Sequence, residues 1–337
     1  MKKIILFVIA LIYILAFSPV QVKAEGWKKL QLNDKTYEVY ALKLLLRNKD
    51  YDPGELSTVF NDQTYSSLVS FQKDYGLKPD GKAGQETWSK LIAPVGKSGF
   101  ANEMDDAVKA VQYLLRKKYA FSSLEASGYF NQETRAAILL FQYNYKLGTN
   151  GTNGVDGIVN KKTWMHLIRD SKKSNNYKWV IDIELNRDRN VLGTLSVFDA
   201  EINWLAKMLC LGESMTMNEN WREVYGNTPL GCFKATVSNR ERNSFEYGDY
   251  YCIELSDNDV KAVTNGRDGI LIHSGSNNYK NKSDSKLPKE YRDSRAKTIN
   301  GLDQTHGCVR IYGEDHKILY ELLKDSRQGI VYISEIE

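Results

Sequence analysis

The chain has 337 residues, 46 Lys plus Arg, 42 Asp plus Glu and four cysteines, which at about 100–200 residues per domain predicts two or three domains. A hydrophobic share of 42% with 26% charged residues excludes a disordered tail and a polytopic membrane protein, and four Cys in so long a chain exclude a disulfide-stapled miniprotein. Lys2, Lys3 and Lys23 carry three of the four net positive charges, so the remaining balance is too even to argue for nucleic acid or an anionic membrane surface as partner.

Lys2-Lys3 opens the chain, an unbroken apolar run follows from Ile4 to Phe17, and Ser18-Pro19 ends it before Val22-Lys23-Ala24. This is the pattern of a secretory signal peptide over residues 1–24, with cleavage expected before Glu25. The run is shorter than the ~20 residues of a spanning helix, so the expectation is an extracytoplasmic protein with no membrane attachment after cleavage.

An internal repeat comes next. Phe60-Asn61-Asp62-Gln63-Thr64 returns as Phe130-Asn131-Gln132-Glu133-Thr134, and Phe71-Gln72 returns as Phe141-Gln142. Asp80-Gly81 and Thr87-Trp88 return as Asp156-Gly157 and Thr163-Trp164, the second spacing lengthened by a Gly/Asn/Thr stretch from Gly148 to Gly154 that reads as a surface loop. Each copy predicts three helices. Leu42, Leu45 and Leu46, matched by Val111, Leu114 and Leu115, give the first its apolar spacing. Asn61 and Asn131 are the expected N-caps of the second, and Asp-Gly makes a turn before a short third helix carrying Thr-Trp. Phe71, Trp88, Phe141 and Trp164 read as core. The order Phe-Gln, Asp-Gly, Thr-Trp resembles the peptidoglycan-binding module of bacterial wall enzymes, over residues 37–92 and 104–168. The resemblance implies wall targeting without fixing any individual binding residue.

After the polar stretch Arg169 to Lys178 the pattern changes to β-branched and aromatic runs: Trp179 to Leu185, Tyr250 to Leu255, Gly269 to Ile272 and Ile330 to Ile333. Helical spacing returns locally at Ile318, Leu319, Leu322 and Leu323. The fold class expected is therefore multidomain α+β, two three-helix bundles followed by a mostly β domain over residues 177–337.

Two segments of that domain carry chemistry. Gly269-Ile270-Leu271-Ile272-His273-Ser274-Gly275 puts a histidine at the end of an apolar strand, and Thr305-His306-Gly307-Cys308-Val309-Arg310 puts a cysteine beside a glycine. An imidazole can activate a thiol as a nucleophile, and a neighbouring glycine lets substrate approach backbone N–H groups able to stabilise an oxyanion. With Thr228-Pro229-Leu230-Gly231-Cys232-Phe233 and Gly266-Arg267-Asp268-Gly269 upstream, these segments resemble, in order, the L,D-transpeptidase catalytic domain (YkuD type). The resemblance implies Cys308 as nucleophile and His273 as the proton-transferring group. It also implies that the Ser274 carbonyl orients the imidazole, that N–H groups near Gly307 and Cys308 form the oxyanion hole, and that Arg310 faces negatively charged groups of the substrate.

The function this implies is an exported, wall-associated L,D-transpeptidase forming 3→3 cross-links through a cysteine thioester. Its partners would be peptidoglycan stem peptides, a donor tetrapeptide and an acceptor amine. The alternatives are an L,D-carboxypeptidase trimming tetrapeptide stems and a catalytically inert wall-binding protein. His306 reads as shaping the nucleophile loop or helping to bind substrate, His316 as a solvated residue at a helix start, and His166 as a helix neighbour of a repeat Trp. His273 and Cys308 stand farther apart than in family members with the compact motif. The extra segment, 277–300, reads as a solvated insertion, the other reading being a lid over the cleft. Where Cys232 stands the family often has threonine. No CxxC or HExxH spacing predicts a metal, no phosphate-loop pattern a nucleotide, and no cofactor is expected. Cys210, Cys232 and Cys252 read as structural, with a Cys232–Cys252 disulfide left open.

Overall fold

The computed structural model describes residues 26–97, 99–148, 155–169, 176–189, 191–212, 219–223, 226–242, 247–275, 298–299, 302–303 and 307–336. The expected signal peptide, His306 and all of the segment 277–300 except 298–299 lie outside the described residues.

Among the described residues six helices form the N-terminal part: α1 (Tyr37–Arg47), α2 (Asp62–Asp74), α3 (Gln85–Leu91), α4 (Asp106–Tyr119), α5 (Gln132–Tyr145) and α6 (Lys161–Arg169). The recurring residues explain themselves as parallel hydrogen-bond sets. Asn61 caps α2 by accepting from the Thr64 N–H at 3.0 Å, and Asn131 caps α5 by accepting from Thr134 N–H at 2.9 Å. Gln72 donates to the Lys82 carbonyl and the Thr87 hydroxyl while its own carbonyl accepts from the Gly81 N–H. Gln142 repeats this with Ile158, Thr163 and Gly157. The Phe-Gln, Asp-Gly and Thr-Trp dipeptides are thus one buried clamp, in which the glutamine holds the turn and the threonine. Each tryptophan donates its indole N–H to the strap before its module, Trp88 to Lys28 O and Trp164 to Ala93 O, both at 2.8 Å. Helices α1 and α4 join the two modules through stacked Tyr40 and Tyr113 and the Arg47–Asp106 ion pair.

The rest is a barrel of eight strands: β1 (Trp179–Asn186), β2 (Gly193–Asp199), β3 (Trp204–Leu211), β4 (Gly231–Val237), β5 (Ile253–Leu255), β6 (Leu271–His273), β9 (Val309–Ile311) and β10 (Gln328–Ile336). It closes in the order β1-β10-β4-β5-β6-β9-β3-β2, with β7 (Thr298–Ile299) and β8 (Leu302–Asp303) forming a separate pair. The β1–β10 and β6–β9 pairs are parallel, the others antiparallel. Helices α7 (Asp257–Val263) and α8 (Gly313–Leu323) contribute Val260, Leu319 and Leu323 to the barrel core.

The alternating strand pattern splits the apolar residues between two cores. Ile181, Ile183, Val331 and Ile333 point into the barrel, whereas Val180, Phe198, Cys232 and Ile330 point outward and join the core of the helical modules. The second module therefore sits on the outer wall of the barrel. Across that seam Arg135 pairs with Asp182 at 2.6 Å and Glu184 at 3.0 Å. Asp182 is fully buried, and burial, outweighing the Arg135 charge, pushes its carboxyl up to about 6.

One expectation needs correction, and the open question of a disulfide is answered. Tyr250 to Cys252 precede β5 instead of belonging to it, the Tyr251 carbonyl being turned to the ring of His316. All four cysteines are free thiols. In the β4–β5 register Ile253 faces Val237, which places Cys252 several residues along the strand from Cys232 and prevents a disulfide.

Candidate active site

Parallel pairing of β6 and β9 assembles the site. Ile272 lies opposite Val309 and His273 opposite Arg310, so Cys308, just before β9, comes alongside Leu271. The half-buried Cys308 thiol donates to the Gly269 carbonyl at 3.7 Å. Burial pushes this thiol above its ordinary range, while a backbone hydrogen bond from Leu271 and the charges of Arg310, Arg267 and Arg242 pull it down.

His273 is buried at the end of β6. Its Nδ1 lies 3.1 Å from the Ser274 carbonyl and 3.4 Å from Nη1 of Arg310. A carbonyl only accepts, so the nearer contact assigns the proton to Nδ1 and leaves Nε2 as the basic nitrogen. Burial first, and the Arg310 charge second, drive the imidazole well below the ordinary histidine range. Both shifts favour an uncharged thiol and an uncharged imidazole at rest, an arrangement suited to moving the proton during attack.

The nucleophile loop is held from beneath. Gly307 has φ +105°, and a Cβ there would overlap the Arg267 guanidinium. Arg267 is buried and donates to the carbonyls of Trp221, Asn227 and Gly226 at 2.6, 2.6 and 3.0 Å. The Thr228 hydroxyl lies within reach of the Gly212 and Cys308 carbonyls.

His316 corrects the sequence reading, being fully buried in the first turns of α8. Its Nδ1 accepts from the Ser274 backbone N–H at 3.3 Å and lies 3.0 Å from the Ser274 hydroxyl, while Nε2 lies 3.2 Å from the Tyr251 carbonyl. An amide N–H on one side and a carbonyl on the other fix the tautomer with the proton on Nε2. Burial holds this imidazole down at about 4. Ser274 thus ties two histidines together: its carbonyl takes His273 and its N–H is taken by His316. The signal for this lay in the helical spacing, since His316, Leu319 and Leu323 form one buried stripe.

Of the expected site residues, His273, Ser274, Gly307, Cys308 and Arg310 come together on β6, β9 and the segments flanking them, and His306 lies outside the described residues. Arg310 is largely buried against the imidazole. Sequence reasoning assigned no role to Arg267, Thr228, Tyr247 or Arg242. The Tyr247 ring lies 5.0 Å from that of His273, and the Arg242 guanidinium 5.3 Å from the Tyr247 ring. A cavity of about 330 Å³ bordered by Leu271, Lys234, Arg240, Arg242, Glu254 and Asp257 reaches Gly269, whose carbonyl accepts from the thiol. Among the described residues no three His, Cys, Asp or Glu side chains cluster as metal ligands, and no helix is long and apolar enough to cross a membrane.

Residues 35–91 and 104–167 each match the peptidoglycan binding domain family, and residues 186–333 match the L,D-transpeptidase catalytic domain. Similar solved structures include an L,D-transpeptidase from Xylanimonas cellulosilytica, at 18% identity over 67% of this chain and 92% of that one, TM-score 0.26. A fused Zn-dependent amidase/peptidase/peptidoglycan-binding protein from Clostridium acetobutylicum matches at 14% identity over 91% and 100%, TM-score 0.26. The helical cell shape determining protein Pgp2 from Campylobacter jejuni matches at 16% identity over 48% and 49%, TM-score 0.30.

Proposed function

Residues 186–333 belong to the L,D-transpeptidase catalytic domain family and two peptidoglycan binding domains precede them, and from that premise we propose that the chain forms 3→3 cross-links between stem peptides of the wall, outside the cytoplasm. The observation that carries the reading is the histidine held by its neighbour's carbonyl on the strand beside the cysteine.

In this mechanism the Cys308 thiol attacks the carbonyl joining the third stem residue to a terminal D-alanine, and Nε2 of His273 takes the proton. The tetrahedral oxyanion is stabilised by backbone N–H groups near Gly307 and Cys308. Collapse breaks the amide bond, the imidazolium returns its proton to the departing D-alanine amine, and a thioester remains on Cys308. A side-chain amine of a second stem then attacks the thioester, His273 takes a proton from it, and the thiol is regenerated. The guanidinium groups of Arg310 and Arg240 favour carboxylates of the incoming stems, while that of Arg242 is paired with Glu254.

Mass spectrometry of muropeptides after incubation with tetrapeptide stems tests the proposal. Cross-linked dimers formed by the wild type and absent with Cys308→Ala are expected. Tripeptide monomers alone would make it an L,D-carboxypeptidase, and unchanged substrate would make it an inert wall-binding protein.

A further inference from the structure

Three large aromatic side chains of the described surface, Phe100, Tyr129 and Trp204, are each more than 40% exposed and all border one concavity of about 610 Å³. It lies at the seam of the second module and the barrel, with Phe100 from the inter-module strap, Tyr129 from the segment before α5 and Trp204 from the start of β3. Two of the rings are anchored at one side. The Arg135 guanidinium sits 4.4 Å from the centroid of Phe100, and Trp204 meets Phe198 edge-on at 5.0 Å. Rings fixed this way and still presented to solvent around one hollow are a ligand surface more than core filling.

Charge decides which ligand. Glu184, on the wall of the groove, is occupied by Arg135 at 3.0 Å and by the Gln132 amide at 3.0 Å. The remaining charges of the lining, Glu133 and Lys207, oppose each other, and Asn102 adds an exposed amide. The surface is aromatic with little net charge, and of its amides Asn131 caps α5 and Gln132 is held by Glu184. A stem peptide, which carries carboxylates, is better matched by the cavity near Cys308, whose lining sets Lys234, Arg240 and Arg242 against Glu254 and Asp257. A chain of amino-sugar rings fits such a surface: flat C–H faces to lie on the rings, and hydroxyl and acetamido groups for the exposed Asn102 amide.

We propose that this groove seats the polysaccharide backbone of peptidoglycan, apart from its stems; the inference rests on the peptidoglycan reading above. The groove and the thiol lie toward opposite ends of β3, whose last residue, Leu211, pairs with Arg310. From Lys207, the lining residue nearest that end, four steps to Leu211 and two more from Arg310 to Cys308 span about 20 Å, whereas an extended four-residue stem spans at most about 14 Å. The sugar in the groove therefore holds the strand while a stem borne elsewhere meets Cys308.

The test is binding of the full chain to glycan strands stripped of their stems by an amidase, set beside acylation of Cys308 by a soluble tetrapeptide. Wild type is expected to bind the stripped strands. Trp204→Ala and Tyr129→Ala should each weaken that binding about tenfold and leave tetrapeptide acylation unchanged. Trp204→Phe, which keeps a ring, should retain most of the affinity while losing the fluorescence change that the glycan causes in the wild type. No binding of stripped strands by the wild type, or equal binding by a folded Trp204→Ala/Tyr129→Ala double variant, overturns the proposal even where cross-linked products form. Glycan binding without any turnover of stems sinks the catalytic reading and supports the groove.

Discussion

Replacing His316 by alanine removes a side chain that never meets substrate in the proposed mechanism, yet the geometry ties it to the reaction. The change strips the Ser274 N–H and hydroxyl of their acceptor and the Tyr251 carbonyl of its ring partner, all in a buried setting. At about 1–3 kcal/mol for each buried group left unmade, the loss is about 3 kcal/mol or more, within the stability of an ordinary domain. Freed from His316, the Ser274 carbonyl no longer fixes Nδ1 of His273. General base catalysis is worth ~10²–10⁴-fold and small misplacements forfeit much of it, so acylation should slow about 10–100-fold with KM little changed. His316→Gln, whose amide can accept from Ser274 and donate to Tyr251, should recover most of the rate. Stability supplies a second readout. The folded-state value of His316 is depressed from the ordinary 6.5 to about 4, so protonation opposes the fold. Its contribution is complete above pH 6.5 and is lost as pH falls toward 4, about 3 kcal/mol in all. His273 acts in the same direction in both proteins, so the difference between wild type and His316→Gln isolates this group. Urea melts from pH 4 to 7, with stopped-flow acylation on folded protein, make the check. Wild-type rates in His316→Ala, together with an unchanged pH slope in His316→Gln, would refute the reasoning.

His273→Ala should slow acylation ~10²–10⁴-fold in stopped-flow assays while leaving sacculus binding intact; unaltered acylation removes it as the base. A carbapenem, or iodoacetamide near neutral pH, should label Cys308 alone, because burial pushes Cys210 and Cys252 up to about 12 and Cys232 well above the ordinary thiol range. Peptide mapping that finds an adduct on one of those three in native protein contradicts this. The carboxyl of Asp182, ordinarily near 3.8, is raised to about 6, so the folded state binds the extra proton and stability declines as pH rises through that window. Asp182→Asn should lack this decline, and a wild-type-minus-variant difference that stays constant from pH 3.5 to 7 would show the assignment to be wrong.

The residues that could be read in advance are those whose chemistry is local. Asn61 and Asn131 announce caps by standing before an acidic or amide first turn, and His273 and Cys308 by their neighbours in short motifs. The Phe-Gln pairs were legible as landmarks but not as clamps, because the partners of Gln72 and Gln142 lie up to 21 positions away. β2 and β3 escaped notice because their outward residues, such as Thr194, Ser196 and Lys207, break the apolar runs. His316 escaped because an imidazole on a helix exposes its partners only when the helix docks. The closure of the sheet likewise depends on the β6–β9 and β3–β9 pairings, which bring together segments with no local signal for each other.

The ion pair of Arg135 with Asp182 and Glu184 has a mechanical meaning. A wall-gripping unit on a flexible leash would let its enzyme roam, and stems within a whole sphere of reach would become targets. Here the second module is bolted to the outer wall of the barrel by that pair, by the Tyr143 hydroxyl on Asp259 and by a shared apolar core. Grip and chemistry are held at one offset and one angle, like the jaw and blade of a single tool. In the proposed reaction, the spacing of the mesh it holds then decides which stems are cut and joined.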